Sequence, residues 1–215
     1  MGVVEGVVLT GGCALNVLFN QLVHNTLAEG KVYIPPAPND GGLVVGAVWA
    51  VHPPWSRQPL QYLGFPLWDE EALDVEAVRW GAQKLSILGG IDYLADLLVG
   101  GQVWQQVSNR SSDKPIVALV RGRQEFGPRA LGHRSLLAVP DSLAMKDRMN
   151  RLKARQWYRP VAPMIAEEDL KKVFGRDVLS PYMTMAPEVL EDIRKAFPAL
   201  AHLDGTAPHQ SVSEE

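Results

Sequence analysis

Cysteine is nearly absent from this sequence: Cys13 is the only one among 215 residues. A single thiol excludes an intrachain disulfide framework, and nothing else in the chain asks for an oxidising compartment. Cys13 itself is expected to be a small buried hydrophobe. No apolar run approaches the roughly 18 to 20 residues that would span a bilayer, and the start of the chain lacks a basic segment followed by an apolar one. A soluble, cytoplasmic protein without membrane partners is the expectation. Neither sign of charge dominates, with 21 Lys and Arg against 24 Asp and Glu for a formal charge of -3. That balance argues against a protein built mainly to coat nucleic acid or an anionic membrane. Internal repeats and low-complexity tracts are missing too, and 47% apolar residues leave room for an ordinary buried core.

The evenness of charge is only global. Between Arg121 and Arg159 there are ten Lys or Arg (121, 123, 129, 134, 146, 148, 151, 153, 155 and 159) against three acids, Glu125, Asp141 and Asp147. A segment so biased is suited to an anion.

The order of elements suggests α/β architecture. Val3 to Leu9 reads as a β-branched strand that Thr10-Gly11-Gly12 breaks before a helical pattern from Cys13 to Leu27. Val32 to Ile34 is a second strand; Asn39-Asp40-Gly41-Gly42 then opens another apolar helix through Ala50. Glycines between strand and helix let backbone N–H groups approach a phosphate. His52 to Pro66, rich in proline and aromatics, reads as a surface connector, so domains are expected at 1–55 and 67–215 with a linker at 56–66. Helices are expected over Glu70 to Leu88, Ile91 to Val99 with a stop at Gly100-Gly101, Leu143 to Lys153, Glu167 to Phe174 and Pro187 to Ala196. Ile116 to Val120 reads as a buried strand, and Val103 to Pro115 as a polar interruption.

Glu125-Phe126-Gly127-Pro128-Arg129-Ala130-Leu131-Gly132-His133-Arg134-Ser135 follows that strand, where α/β folds commonly bind ligands. Arg129 and Arg134 supply planar forks for phosphate or carboxylate, although a solvated basic loop would read the same way. Further on, Lys153, Arg155 and Arg159 precede Pro160. On a helix Lys153 and Arg155 cannot share a face, whereas an extended chain would line up all three.

The segments from Glu125 to Ser135 and from Arg148 to Pro160, with Pro160-Val161-Ala162-Pro163 and Ser180-Pro181-Tyr182-Met183, closely resemble the carboxy-terminal domain of the O-carbamoyltransferases of nodulation-factor and antibiotic biosynthesis. Thr10-Gly11-Gly12-Cys13-Ala14-Leu15-Asn16 and Pro38-Asn39-Asp40-Gly41-Gly42 resemble the end of the preceding domain in that family. The resemblance implies the end of an actin/sugar-kinase-like domain that binds a metal and a nucleotide, followed by a YrdC-like domain. The latter would join carbamoyl phosphate to ATP as carbamoyl adenylate, and the former would pass the carbamoyl group to the hydroxyl of an acceptor. By the same resemblance Lys153 and Arg159 hold carbamoyl phosphate as catalytic residues, with Arg129, Arg134 and Arg155 on its phosphate or that of ATP. Gly11, Gly12 and Asn16 match the nucleotide loop and Asp40 a ligand of a divalent ion, Fe2+ or Mg2+. Homo-oligomers fit the pattern as well.

Several family features are missing from these 215 residues. The metal-binding histidines belong upstream; Pro208 stands where the family has an arginine, with His209 a partial substitute; and a terminal asparagine- and serine-containing motif lies beyond Glu215. Both domains are therefore expected to be incomplete. Two alternatives remain open: a catalytically incomplete paralogue that binds or scaffolds, and a nucleic-acid-binding module using Trp157 and Tyr158 among the cations.

Overall fold

β-Branched runs cut short by glycine and proline give strands of only two to four residues, so helices supply most of the ordered backbone. The computed structural model describes residues 5–27, 31–56, 59–108 and 113–213. In chain order the elements are β1 (Val7–Val8), α1 (Val17–Leu27), β2 (Val32–Tyr33), α2 (Leu43–Val51), α3 (Glu70–Arg79), α4 (Leu85–Leu88), α5 (Gly90–Val99), α6 (Gln102–Val107), β3 (Val117–Val120), β4 (Arg134–Leu137), α7 (Leu143–Leu152), β5 (Met164–Ala166), α8 (Leu170–Phe174), α9 (Glu191–Ala196) and β6 (Gln210–Val212). This is a mixed α/β chain. No described helix is long and apolar enough to cross a membrane.

The chain forms two units: one from Met1–Leu63, Glu125–Leu131 and Pro140–Glu215, the other from Gly64–Gln124 and Gly132–Val139. In the first, β1 runs parallel to β2 (Val7 opposite Val32, Val8 opposite Tyr33), and β5 runs parallel to β6 with Ile165 opposite Ser211. Its apolar core has two centres. One joins Ile165, Leu170, Phe174, Val189, Leu200 and Ala207; the other brings Ala14 and Ile34 against Val178 and Met185, which lie over 140 residues away along the chain.

In the second unit β3 and β4 form an antiparallel hairpin, Val117 opposite Leu137 and Val120 opposite Arg134. Asp69 caps α3, its carboxylate accepting from the Glu71 and Ala72 N–H groups, and Glu70 and Glu71 favour the same helix end. None of the hydrophobic side chains described in this unit is buried.

Several local expectations need correction. The helix expected from Cys13 to Leu27 is two elements: a 3-10 turn over Gly12–Leu15 and then α1, separated by an extended Asn16. The pattern from Glu70 to Leu88 breaks at Gly81, whose φ of 63° is left-handed, and resumes only as α4. The polar stretch 103–115 opens inside α6, with 103–107 helical and Asp96 accepting from the Val103 N–H; 109–112 lie outside the described residues, as do Val3 and Val4 of the first strand. The last expected helix begins at Glu191, not Pro187. The proline- and aromatic-rich stretch is not merely draped: Gly64 N–H donates to Gln124 O, Gln124 N–H to Phe65 O, and Pro66 bridges Arg123. Alternating apolar spacing cannot reveal such pairing because it is made by backbone groups. Cys13 is exposed, not buried.

Candidate functional site

The connection from β3 to β4 contains the arginine loop, and its central residues, 125–131, belong to the first unit. Three side chains fix the end of that loop. The buried Glu125 accepts the Leu131 N–H at 3.0 Å, while Tyr62 Oη and Gln210 Nε2 both donate to Leu131 O, at 2.9 and 3.2 Å. Gly127 has φ 102°, and a Cβ there would overlap the Pro36 carbonyl oxygen. Glycine is thus required where the loop meets the segment after β2.

Arg129, half-buried, lines one small cleft with Ala14, Pro36, Pro38, Tyr182 and Thr184. The two family-like segments meet here within one unit. Asn20, fully buried on α1, joins the same parts, its Nδ2 donating to Ala14 O at 2.8 Å and to Thr184 O at 2.9 Å. Tyr182 packs edge-on to Tyr33 with ring centroids 6.4 Å apart. Burial and then Tyr33 push its phenol up to about 12, so at neutral pH it remains a donor. Beneath this cleft Ser180 Oγ accepts the Thr184 and Met185 N–H groups, and Met183 holds a left-handed φ of 55°. Sparsely populated backbone of this kind persists only where surrounding bonds determine it.

The second basic element follows neither of the two geometries read from sequence. Helix α7, capped by Ser142, ends at Leu152; Ala154 turns left-handed at φ 49°, and the chain folds back so that Arg155 N–H reaches Asn150 O. Asn150 then ties down the loop, its Nδ2 donating to Trp157 O at 3.2 Å and to Arg159 O at 3.0 Å. Arg155 donates to Pro160 O.

The result is a concentration of cations. Burial, and then the charges of Arg159 and Arg129, hold the Arg155 guanidinium below its usual range; burial and then Arg155 do the same to Lys153, and burial alone to Arg129. Those couplings link Arg155 to each of the other three. Among the described residues no carboxylate forms an ion pair with any of them. Arg134 belongs to the other unit, in β4 opposite Val120.

At the glycine turn, Gly11 N–H is engaged by Pro38 O at 2.7 Å, and Asn16 Oδ1 caps α1 by accepting from Leu18 and Phe19. Both groups already have partners within the chain. Asp40 is exposed at the start of a 3-10 turn. No group of three or more His, Cys, Asp or Glu side chains converges among the described residues, so the described part of this chain does not itself fit a metal ion.

His209 does not offer a cation in place of the missing arginine. It is fully buried, its Nε2 lies 2.8 Å from Val178 O, and its ring packs on Phe174 with centroids 4.6 Å apart. Burial lowers its pKa from 6.5, outweighing the opposing bond to Val178. The folded state thus favours neutral imidazole, so its contribution to stability is complete above pH 6.5 and is lost as pH falls through the lower folded value. Urea titrations between pH 7.5 and 5 should show stability falling below about pH 6.5, and His209→Gln should flatten that slope. An unchanged slope in the variant would assign the loss to other groups.

Glu125, Tyr62, Gln210, Asn20 and Asn150 were not foreseen as supports of the site. Of these, Glu125 and Asn150 lie inside the recognised segments, where nothing marked them as supports; Tyr62, Gln210 and Asn20 act on backbone carbonyls far away in sequence and carry no local signature.

Residues 2–49 match the family model described as Carbamoyltransferase N-terminus, and residues 109–215 match Carbamoyltransferase C-terminus. Nodulation protein U of Rhizobium tropici is 36% identical over 211 residues, covering 95% of this chain and 33% of that protein. The 3'-hydroxymethylcephem-O-carbamoyltransferase of Amycolatopsis lactamdurans is 36% identical over 214 residues, 96% of this chain and 36% of its own length. The chain therefore spans about a third of the length of these curated relatives. Matched in order by both parts of one family, and aligned almost end to end with its members, the chain belongs to the carbamoyltransferase family.

Proposed function

We propose that this chain contributes the carbamoyl phosphate site of an ATP-dependent O-carbamoyltransferase. The observation that carries the reading is the set Arg129, Lys153, Arg155 and Arg159, held in one unit and without an ion-pair partner among the described residues. Cations that repel one another are stabilised by a small dianion in their midst. Phosphoryl and acyl-phosphate chemistry depends mainly on positioning and on neutralising negative charge as it develops. Lys153 and Arg159, both exposed, would meet carbamoyl phosphate, and Arg129, half-buried in its cleft, the phosphates of ATP.

The chemistry so supported passes the phosphoryl group of carbamoyl phosphate to water, releasing phosphate, and the carbamate left behind attacks the α-phosphorus of ATP, forming carbamoyl adenylate and releasing pyrophosphate. Transfer to a hydroxyl acceptor follows. In this reading residues 67–215 are a YrdC-like domain and 1–55 the end of an actin/sugar-kinase-like one, with 56–66 between them. One relative's name specifies an O-carbamoyltransferase of a hydroxymethylcephem, which fits an alcohol acceptor of a natural product.

Calorimetric titration with carbamoyl phosphate tests the reading. Lys153→Ala and Arg159→Ala should each weaken binding by about 10- to 100-fold, the loss of one charge-assisted hydrogen bond. Unchanged affinity in both variants would overturn the assignment. A second reading, a carbamoyl phosphate binder without adenylation, draws on Pro208 and the buried His209. It predicts intact binding but no carbamoyl-phosphate-dependent exchange of pyrophosphate into ATP.

A further inference from the structure

The loop that carries Trp157, Tyr158 and Arg159 is held from two sides. Asn150 holds it from α7, and His202 holds it from the turn at 202–206: the imidazole Nε2 lies 3.0 Å from Tyr158 O. The other ring nitrogen, Nδ1, lies 3.6 Å from Asp204 Oδ1, at ion-pair distance. Asp204 is itself fixed, its Oδ1 accepting the Thr206 N–H at 2.9 Å and the Thr206 hydroxyl at 2.7 Å. Two backbone bonds close the turn, His202 N–H to Thr206 O and Gly205 N–H to His202 O. Turn and loop both belong to the first unit.

A carbonyl oxygen can only accept, so Nε2 carries a proton. In the neutral ring Nδ1 would then turn a lone pair toward the Asp204 carboxylate and be repelled by it. Imidazolium donates through both nitrogens, so only the charged ring suits both partners at once. Burial would raise the Asp204 carboxyl, but the bonds from Thr206 and then the charge of His202 hold it below its usual range, so it stays ionised near neutrality. The other charges near this ring are Arg155 and Arg159 in the loop, Arg194 of α9, which packs on Gly205, and Asp141, which follows the Pro140 carbonyl that receives the Ala199 N–H. Among the described residues Asp204 alone is at ion-pair distance from the ring.

We infer, on the carbamoyl phosphate reading above, that His202 is a positioning residue for the anion site: when charged it ties Tyr158 O to Asp204 and so orders the loop that bears Arg159. It touches no ligand. This latch is complete at low pH and is lost as pH rises and the imidazole discharges. A loop ordered in advance costs less to immobilise on binding, so proton uptake at His202 and anion binding favour one another.

Calorimetric titration of the whole chain with carbamoyl phosphate tests this between about pH 5.5 and 8, the range in which imidazoles ordinarily change charge. Ionisation of the ligand and of the other histidines is common to wild type and variants, so the ratio of their affinities at each pH isolates the latch. His202→Gln keeps a donor for Tyr158 O but cannot be charged. The advantage of wild type over this variant should be about two- to fivefold larger at the low end, the contribution of an exposed ion pair. Asp204→Asn keeps an acceptor for Thr206 and should lose the same pH-dependent advantage. If the imidazolium acted only by adding positive charge, the advantage would persist in Asp204→Asn and the latch would be overturned. Equal pH profiles in wild type and His202→Gln would overturn it too. Amide hydrogen exchange at residues 157–159 follows the latch without any ligand. Compared at one pH, it should be slower in wild type than in either variant at about pH 5.5, and the three should converge at about pH 8. That difference without carbamoyl phosphate binding would support the latch and refute the anion reading; its absence would refute the latch whatever binds.

Discussion

Asn20→Ala lowers the free energy of unfolding by about 2 to 4 kcal/mol, the expected result of removing two buried hydrogen bonds and leaving both carbonyls unsatisfied. The Asn20 amide joins Ala14 O at the glycine turn to Thr184 O beside Tyr182, two places 170 residues apart. Alanine supplies neither donor, and the enclosed position gives those oxygens little access to water. Asn20→Leu separates bonding from packing. Leucine restores most of the volume but no donor, so if hydrogen bonding is the cause it should remain destabilised by a similar amount. Urea unfolding followed by circular dichroism measures both variants. Full recovery in the leucine variant would show that Asn20 matters as filler only.

Asn150→Ala has its larger effect on the ligand. Its amide holds Trp157 O and Arg159 O, and its own carbonyl receives the Arg155 N–H. The last bond survives substitution because it belongs to the backbone. The first two do not, and with them goes the restraint on the loop carrying Arg155 and Arg159. Stability should fall by about 1 to 2 kcal/mol, less than at Asn20 because these carbonyls are only partly buried. Carbamoyl phosphate affinity should fall about tenfold, since the cations must be ordered again on binding, at roughly 0.5 to 1.5 kcal/mol for each immobilised side chain. Asn150 touches no ligand in this account, so Asn150→Gln, which keeps the amide, should recover part of the affinity, and the salt dependence of binding should be preserved in all three proteins. A variant with altered stability but unchanged affinity would make Asn150 structural only.

How far these elements could be read from sequence depends on where their determinants lie. The family was legible because Glu125 to Ser135 and Arg148 to Pro160 resemble segments of its known members, whereas their spacing alone reads as well as a solvated basic surface. Most helices were legible through periodicity, as at α5, and β3 through its composition, although that strand is half-exposed and not buried as expected. The break at Asn16 was not, because an asparagine capping α1 looks in sequence like one more polar residue between apolar ones. The left-handed Ala154 was hidden for another reason: alanine favours the helix that it here terminates, and tertiary bonds from Asn150 override that preference. Cys13 failed for a third reason. Its apolar character says nothing about whether a neighbour is present to cover it.

The cluster of four cations lies in a chain whose total charge is -3, and the two scales of that field act differently. At physiological ionic strength screening sets in over about 8 Å. A dianion the size of a phosphate fits inside that distance, so one held at Arg155 would feel that residue and the cations coupled to it. A long polyanion laid over the same place extends past it, where the excess of acidic side chains begins to count. The surface therefore sorts anions by reach before any hydrogen bond is made, attracting compact ones more readily than extended ones.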